Sequence, residues 1–402
     1  MTREGASQPA KNRQGRLWPV RTSSPTRVAV SPGHGPARLS LRQLNRATLA
    51  RQMLLARERV TPLRAIERLV GMQAQFPRPP YLGLWARLAN FQRDDLTKLV
   101  EQRKVVRATF LRGTLHLATA KDFVAFRPTM QPVLDAGMHA ILKALGARVD
   151  PERLTERAQA ILAEGPQTFE EVRDRLARAE PNANERAMGF AVRMLLPLVQ
   201  VPVGKEAPWA FSANCRFALA EQWLGRPILT GGPSPADALV VRYLAGYGPA
   251  SVADAQAWSG LPRLRDVFEG LRPRLATFRD EGGRKLFDLP DAPRPDGDAP
   301  APVRLVADYD NLITTRADER FVAKGHRSSV FLPGLRIAAT VLVDGFVAGA
   351  WRLERKRDAA TVTVEPFAPF SARTRKEVAA EAEALLRFVE PDARSREVRV
   401  GK

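Results

Sequence analysis

The sequence predicts an α+β protein with three helix–helix–hairpin units in series, followed by a small β-rich domain. Pairs of short amphipathic segments begin at capping residues, β-like residues follow each pair, and the pattern changes to strands beyond residue 302. The chain has 402 residues, 45% apolar and 26% charged, as in a globular protein with a sizeable core. It has no run of about 18 apolar residues and no apolar secretory segment, so we expect a cytoplasmic protein without transmembrane helices.

Residues 1–40 are predicted to form a disordered basic tail. They contain five prolines, four glycines and few periodic apolar positions. The tail is interpreted either as solvated chain or as a basic arm that adds nonspecific affinity for a polyanion.

The first unit, residues 41–130, is predicted to contain four helices before a β segment. The helices are placed at about 44–56, 62–70, 82–88 and 94–101, and the β segment at 105–119. Between the second and third helices lies Gly-Met-Gln-Ala-Gln-Phe-Pro, residues 71–77. Gly71 ends one helix and nearby prolines prevent another from starting at once, so this stretch is predicted to be non-helical.

The second and third units, residues 131–230 and 231–291, repeat the pattern. The second is predicted to have helices at 169–178 and 184–196 and a wing built from 199–203 and 209–211. The third is predicted to have a helix capped by Ser251 and ended by Gly260, a helix at 264–271, and a hairpin of 276–279 with 284–287. Helix, turn, helix and hairpin is the order of a winged helix, so we expect three tandem winged helices.

The last part of the chain is predicted to be a linker, 292–302, and a β-rich domain, 303–402. The linker contains four prolines, and Asp-Gly at 344–345 is a two-residue hairpin signal. Strands are placed at 303–307, 320–323, 335–342, 345–353 and 361–364, and a final helix at 372–388.

The charge distribution points to a polyanionic partner. The net charge is +20, and the first 112 residues carry +16 of it. Such an excess is typical of nucleic-acid binding. However, 52 of the 63 basic residues are arginine, which a GC-rich genome also produces, so charge alone leaves the partner open.

Several kinds of chemistry are excluded or disfavoured. Cys215 is the only cysteine and the four histidines are dispersed, so the sequence predicts neither disulfides nor a zinc site, and Cys215 is read as a packing residue. Phosphate-binding glycine loops, the Gly-x-Ser-x-Gly elbow and His-Glu-x-x-His are absent. We therefore expect no metal and no cofactor.

Gln73 and Gln75 are the first candidate site. In an extended chain, residues two apart project to the same side, so the two amides would surround one point. A carboxamide cannot act as a base near neutral pH, but it can orient a water and stabilise developing charge. The pair suits a reaction with a good leaving group. The alternative is two glutamines in a surface loop.

Two further clusters combine basic and acidic side chains. Arg107, Arg112 and His116 lie in the first β segment, where the arginines would meet phosphates if it forms a wing, or would be structural. Asp308 and Asp310 precede Asn311, which favours a turn with ion pairs to Arg316 and Arg320 over a metal site. The candidate DNA contacts are Arg107, Arg112, His116, Arg316 and Arg320.

Four motifs together resemble the AlkZ/YcaQ-like winged-helix family over about residues 43–390. They are Gln-x-Gln at 73–75, Arg-Gly-Thr-Leu-His at 112–116, Tyr-Asp-Asn at 309–311 and Gly-x-x-x-Gly-x-Trp-Arg at 345–352. The resemblance implies three tandem winged helices and a C-terminal β domain in a C shape around a concave DNA-binding surface. It also implies a DNA glycosylase that excises N-alkylated purines and unhooks interstrand crosslinks, with Gln73 and Gln75 holding the attacking water.

The expected reaction is monofunctional and metal-independent hydrolysis on double-stranded DNA by a monomer. An alkylated purine is cationic and leaves as a neutral base, so positioning and electrostatics can serve without a strong base. No lysine occurs in or beside the Gln-x-Gln segment for a Schiff base. The alternatives are a noncatalytic DNA-binding protein such as a transcriptional regulator, and a module whose wings contact protein.

Overall fold

The computed structural model describes residues 37–180, 183–228, 235–314 and 318–401, which form a mixed α/β architecture. Residues 1–36 of the predicted tail lie outside these ranges. Residues 37–40 are packed, because Leu39 is buried and its N–H donates to the Arg279 carbonyl at 2.8 Å. The described chain therefore begins before the predicted end of the tail.

The first unit has the predicted order of elements. It contains α1 (Leu41–Arg51), α2 (Pro62–Leu69), β1 (Met72–Gln73), α3 (Arg78–Arg87), α4 (Arg93–Glu101), β2 (Val105–Thr109), β3 (Leu115–Thr119) and α5 (Ala120–Phe126). α1 begins earlier than predicted because Ser40 and Gln43 form a capping box.

The second unit differs from the prediction in its wing. It contains α6 (Gln131–Ala144), α7 (Pro151–Ala163), β4 (Gln167–Thr168), α8 (Phe169–Ala179), α9 (Glu185–Leu195), β5 (Leu198–Gln200), β6 (Arg216–Leu219) and α10 (Ala220–Leu224). β5 pairs with β6, with Val199 opposite Ala218, so the predicted pairing with residues 209–211 is wrong. Pro202 has no N–H and cannot continue the ladder of β5 toward those residues.

The first two units share one antiparallel sheet. Its strand order is β1-β3-β2-β5-β6-β4, and the units join where Arg107 of β2 lies opposite Gln200 of β5. The Gln-x-Gln segment therefore lies at one edge of this sheet.

The third unit confirms the predicted elements. It contains α11 (Pro235–Tyr247), α12 (Val252–Ser259), α13 (Arg265–Leu271), β7 (Ala276–Arg279) and β8 (Lys285–Asp288). Ser251 and Asp254 form a capping box at the start of α12. Gly260 ends this helix with a φ of 84°, a conformation that glycine adopts without strain.

The C-terminal part is rich in strands, as predicted. It contains β9 (Arg304–Val306), α14 (Asn311–Thr314), α15 (Arg327–Val330), β10 (Phe331–Leu332), β11 (Arg336–Ile337), β12 (Ala339–Val343), β13 (Phe346–Lys356), β14 (Ala359–Pro366), α16 (Ala372–Val389) and β15 (Ser395–Val400). The main sheet has the order β15-β14-β13-β12-β9. The strand predicted at 320–323 is wrong, because consecutive Phe321 and Val322 are both buried and the chain there is irregular.

Helix α1 packs against parts of the chain that are distant in sequence. The buried Arg51 guanidinium pairs with Asp288 of β8 at 2.6 Å. Asn45 donates to the Gly345 carbonyl between β12 and β13 at 2.8 Å. The N-terminal helices therefore share packing with the third unit and the C-terminal sheet, while the predicted domain boundaries stay a prediction. Within the described ranges, no helix is long and apolar enough to cross a membrane.

Candidate active site

The Gln-x-Gln segment is an extended strand at the sheet edge. β1 pairs with β3, so that Gln73 lies opposite His116, and the Ala74 N–H donates to the Leu115 carbonyl at 2.8 Å. Met72 and Ala74 are buried, whereas Gln73 is half-buried and Gln75 is exposed. This alternation agrees with the expectation that both glutamine side chains project to one side.

Arg107 holds this segment through its backbone. Its Nε donates to the Ala74 carbonyl at 2.9 Å and its Nη2 to the Gln75 carbonyl at 3.0 Å. A further hydrogen bond reaches Gln200 across the sheet. Burial lowers the pKa of Arg107 and leaves its side chain inside the protein, which corrects the expectation that it meets a phosphate.

Arg112 orients the Gln73 amide. Its Nη2 donates to Gln73 Oε1 at 2.9 Å, while its Nη1 donates to the Trp258 carbonyl. Burial lowers the pKa of Arg112 to about 10, so the guanidinium stays charged at neutral pH. Since the oxygen of Gln73 faces Arg112, its NH₂ group is the end that is free to turn toward a ligand.

His116 is a buried neutral residue on the same face as Gln73. Directly opposite residues of an antiparallel pair share a face of the sheet. Burial, with the charge of Arg112, lowers the pKa of His116 to about 3. Its Nδ1 lies 3.0 Å from the Thr114 carbonyl, to which it donates. The ring is 1% exposed, which corrects its expected role as a DNA contact.

Asn311 joins the Tyr-Asp-Asn segment to the Gln-x-Gln segment. Its Oδ1 accepts from the Gln73 N–H at 3.0 Å, and its Nδ2 donates to the Gly71 carbonyl at 2.6 Å. The same Nδ2 donates to the Tyr247 hydroxyl at 2.8 Å. These two segments, separated by 238 residues, therefore form one site.

Asp310 is a structural carboxylate. Its Oδ1 and Oδ2 accept from the two terminal nitrogens of Arg87 at 2.7 and 2.8 Å, and both side chains are buried. The expected pairing with Arg320 is wrong: the Arg320 side chain is fully buried and donates to Thr48 Oγ1 at 2.9 Å. That burial also corrects its expected DNA contact. Arg316, the other expected partner and contact, lies outside the described residues.

Asp308 has different surroundings from Asp310, two residues later. Tyr309 between them has a left-handed φ of 58°, which is uncommon for a residue with a side chain. Asp308 is half-buried and forms no ion pair with any residue in the described ranges. Burial raises the pKa of Asp308, and the charge of Arg78 opposes that rise.

A small cavity connects these groups. Its volume is about 10 Å³, which is the space of one water molecule. It is lined by Leu69, Met72, Gln73, Pro79, Pro80, Arg87, Asp308, Tyr309, Asp310 and Asn311. Beside it, Phe76 is 54% exposed and its ring centroid lies 6.0 Å from that of Tyr309. The site can hold a water between an oriented amide and a carboxylate, next to an exposed aromatic ring.

The sequence pointed to Gln73 and Gln75 but not to the groups that surround them. Arg112 was assigned to DNA, and Asp308 was grouped with Asp310 as part of an ion-paired turn. The Tyr-Asp-Asn motif was a signal in the sequence, yet its contact with Gln73 could not be derived from spacing. Among the described residues, no three His, Cys, Asp or Glu side chains cluster in a way that could hold a metal ion.

The chain matches the family model described as "DNA glycosylase AlkZ-like" over residues 66–388, which include Gln73, Gln75 and Asp308. It is 28% identical over 334 residues to an interstrand DNA cross-link repair glycosylase of Streptomyces sahachiroi, covering 78% of this chain and 88% of that relative. Its fold is similar to the solved structure of the Streptomyces sahachiroi DNA glycosylase AlkZ, with a TM-score of 0.73 and 24% identity. That match covers 90% of this chain and 100% of the other.

Proposed function

This chain belongs to the AlkZ-like DNA glycosylase family, and from that premise we propose that it hydrolyses the N-glycosidic bond of N-alkylated purines in double-stranded DNA. We extend the proposal to interstrand crosslinks formed through such purines, since a relative carries that activity in its name. The observation that carries the proposal is the Gln73 amide, which is oriented by Arg112 beside a cavity the size of one water.

The reaction needs positioning more than a strong base. A purine alkylated at N7 or N3 is cationic and departs as a neutral base, so the main barrier lies in forming and capturing an oxocarbenium-like sugar. Gln73 and Gln75 lie on one side of β1 and supply preorganised amide dipoles at that point. Since no lysine occurs in residues 71–77, the product of the proposed reaction is an abasic site formed without a Schiff base.

The size of the cavity supports action on a base that stays in the duplex. A cavity of about 10 Å³ accepts a water but not a purine. Enzymes that flip a base enclose it in a fitted pocket. A crosslinked base is tied to both strands and cannot flip freely, so an open site beside Gln73 favours a reaction on crosslinks as well as on single adducts.

The same proposal assigns the surface that holds DNA. We infer that the three helix–helix–hairpin units are tandem winged helices around a concave DNA-binding surface. Arg78 is half-buried beside the Gln-x-Gln segment and forms no ion pair with a described residue, which makes it a better phosphate contact than Arg107 or His116. We further propose that the protein acts as a monomer without a metal or other cofactor.

The test is product analysis on an end-labelled duplex that contains one N7-methylguanine, with and without EDTA. We expect an intact strand before heating and cleavage at the lesion after heat or alkali, since abasic sites are labile, with no effect of EDTA. Strand scission without heat that disappears in EDTA would indicate a metal-dependent nuclease. Tight binding to one operator sequence without excision would indicate a regulator.

A further inference from the structure

One carboxylate beside Gln73 is not used by the fold. Asp308 lines the same cavity as Gln73, is half-buried, and has no ion-pair partner among the described residues. Burial without a partner costs folding free energy, because the lost hydration of the charge is not replaced. Groups of this kind concentrate at functional sites.

Asp310 shows what a structural carboxylate looks like in the same turn. Both of its oxygens accept from Arg87, and Oδ1 also accepts from the Leu312 N–H at 2.9 Å. Its acceptor capacity is largely filled by protein donors. The acceptor capacity of Asp308 is not, and the cavity next to it has room for one water.

We propose that Asp308 is a catalytic carboxylate, which holds the attacking water together with Gln73, stabilises the oxocarbenium-like sugar and accepts the proton that the water loses. This inference rests on the proposed glycosylase function and supplies what the two amides lack. Glutamine can hold a water and stabilise charge, but it cannot take up a proton near neutral pH.

The proposed step balances without an oxidant, a reductant or a metal. The C1′–N bond breaks and its electron pair goes to the cationic purine, which leaves as a neutral base. The water oxygen forms the new bond to C1′. One water proton passes to the carboxylate of Asp308 and returns from there to solvent.

The charged groups around Asp308 set its response to pH. Arg78, at the start of α3, is the cation whose charge acts on it. Arg87 and Asp310 also line the cavity but pair with each other, and Gln73 and Asn311 are neutral amides. Burial raises the pKa of Asp308 above its ordinary value of 3.8, against the effect of Arg78.

The raised pKa fixes the sign of two effects. Protonation of Asp308 favours the folded state, so its contribution to stability is full below the unfolded pKa and is lost as pH rises through the folded pKa. Catalysis needs the ionised form. The excision rate should therefore fall as the pH is lowered through that same folded pKa.

The experiment compares the wild-type protein with Asp308→Asn, using single-turnover excision of N7-methylguanine at saturating protein from about pH 5 to about pH 8. We expect the variant to be about 10²–10³-fold slower near neutral pH, with unchanged DNA affinity and no fall in rate toward acid. Asp308→Glu should keep part of the rate and the acidic fall. Asp291→Asn, an exposed acid in the linker, is the matched control and should behave as the wild type.

Thermal unfolding gives a readout that is independent of activity. Near neutral pH, Asp308→Asn should match or exceed the Tm of the wild type, because an unpaired charge is removed, and the difference should close in acid. An Asn variant that is as fast as the wild type, or that keeps the acidic fall, overturns the role of Asp308. Joint loss of rate and Tm would make Asp308 structural. A wild type that leaves the lesion in place would overturn the proposed function itself.

Discussion

At the scale of single residues, Gln73 and Gln75 share a side of β1 but differ in what fixes them. Gln73 accepts from Arg112, whereas Gln75 is exposed and is held through its backbone carbonyl by Arg107. We expect Gln73→Ala and Gln75→Ala each to slow single-turnover excision by about 10²–10³-fold, because each removes a preorganised dipole from the transition state. DNA affinity should change little, as neither side chain is charged.

The control for this comparison is Gln102→Ala, an exposed glutamine at the end of α4. It should leave the rate unchanged. If the double variant Gln73→Ala/Gln75→Ala excises at the wild-type rate at equal DNA occupancy, the glutamines have no part in the mechanism.

Arg112 is expected to act through Gln73 and not by itself. Arg112→Ala should slow excision, because the Gln73 amide loses the donor that fixes its orientation. The double variant Arg112→Ala/Gln73→Ala should then be no slower than Gln73→Ala, since both changes remove the same interaction. Rates are measured at saturating protein, with melting curves to account for the lost bond to Trp258. Additive losses would mean that Arg112 has a separate role, such as contact with a phosphate.

The glutamines could be found from the sequence, but their surroundings could not. Gly71 and the following prolines predicted a non-helical stretch, and period-two geometry placed both amides on one side. Arg112 and Asn311 meet Gln73 from 39 and 238 residues away. Such contacts depend on tertiary packing, and no local propensity encodes them. The different roles of Asp308 and Asp310 are equally invisible in their spacing.

At the scale of elements, the pair of Asp310 with Arg87 fastens α3 to the turn before α14. Both side chains are buried, and Arg87 also donates to the Gly83 carbonyl at 3.0 Å. Asp310→Asn leaves the Arg87 charge buried without a counterion, which typically costs about 3–5 kcal/mol. We expect a marked fall in Tm and in the free energy of unfolding in urea, with less effect on the excision rate of the protein that stays folded. Asp308→Asn, two residues away, is the matched control and should cause no such fall.

The accuracy of the predicted elements followed how local their determinants are. The third unit matched because Ser251, Gly260 and the Asp-Glu-Gly-Gly turn are signals within a few residues of the elements they bound. The wing of the second unit was wrong because β5 pairs with β6, which lies beyond two prolines. Strand β15 was missed because Ser-Arg-Glu-Val-Arg-Val is polar, and it is held by parallel pairing with β14 across α16.

At the scale of the whole molecule, part of the N-terminal charge excess is consumed inside the protein. Among the basic residues that give the first 112 residues their net charge of +16, four buried arginines make internal hydrogen bonds. They are Arg46, Arg51, Arg87 and Arg107. The first three pair with acids that lie more than 200 residues away in sequence. Sequence charge alone therefore overstates the charge that can face DNA.

DNA binding by the remaining surface charge should still depend steeply on salt. Roughly six to ten phosphate contacts would lower the affinity by about 10³–10⁵-fold between about 50 and about 200 mM salt, largely independent of DNA sequence. Residues 1–36 hold six basic residues and one acidic residue, so deleting them should flatten the salt dependence modestly and spare excision. Deleting residues 1–40 also removes the buried Leu39 and the Ser40 cap of α1, and should lower the Tm as well. Fluorescence anisotropy with undamaged duplexes over a salt series, alongside melting curves, separates the two deletions. Affinity that ignores salt, or that singles out one operator sequence, would favour a regulator over a glycosylase that scans DNA.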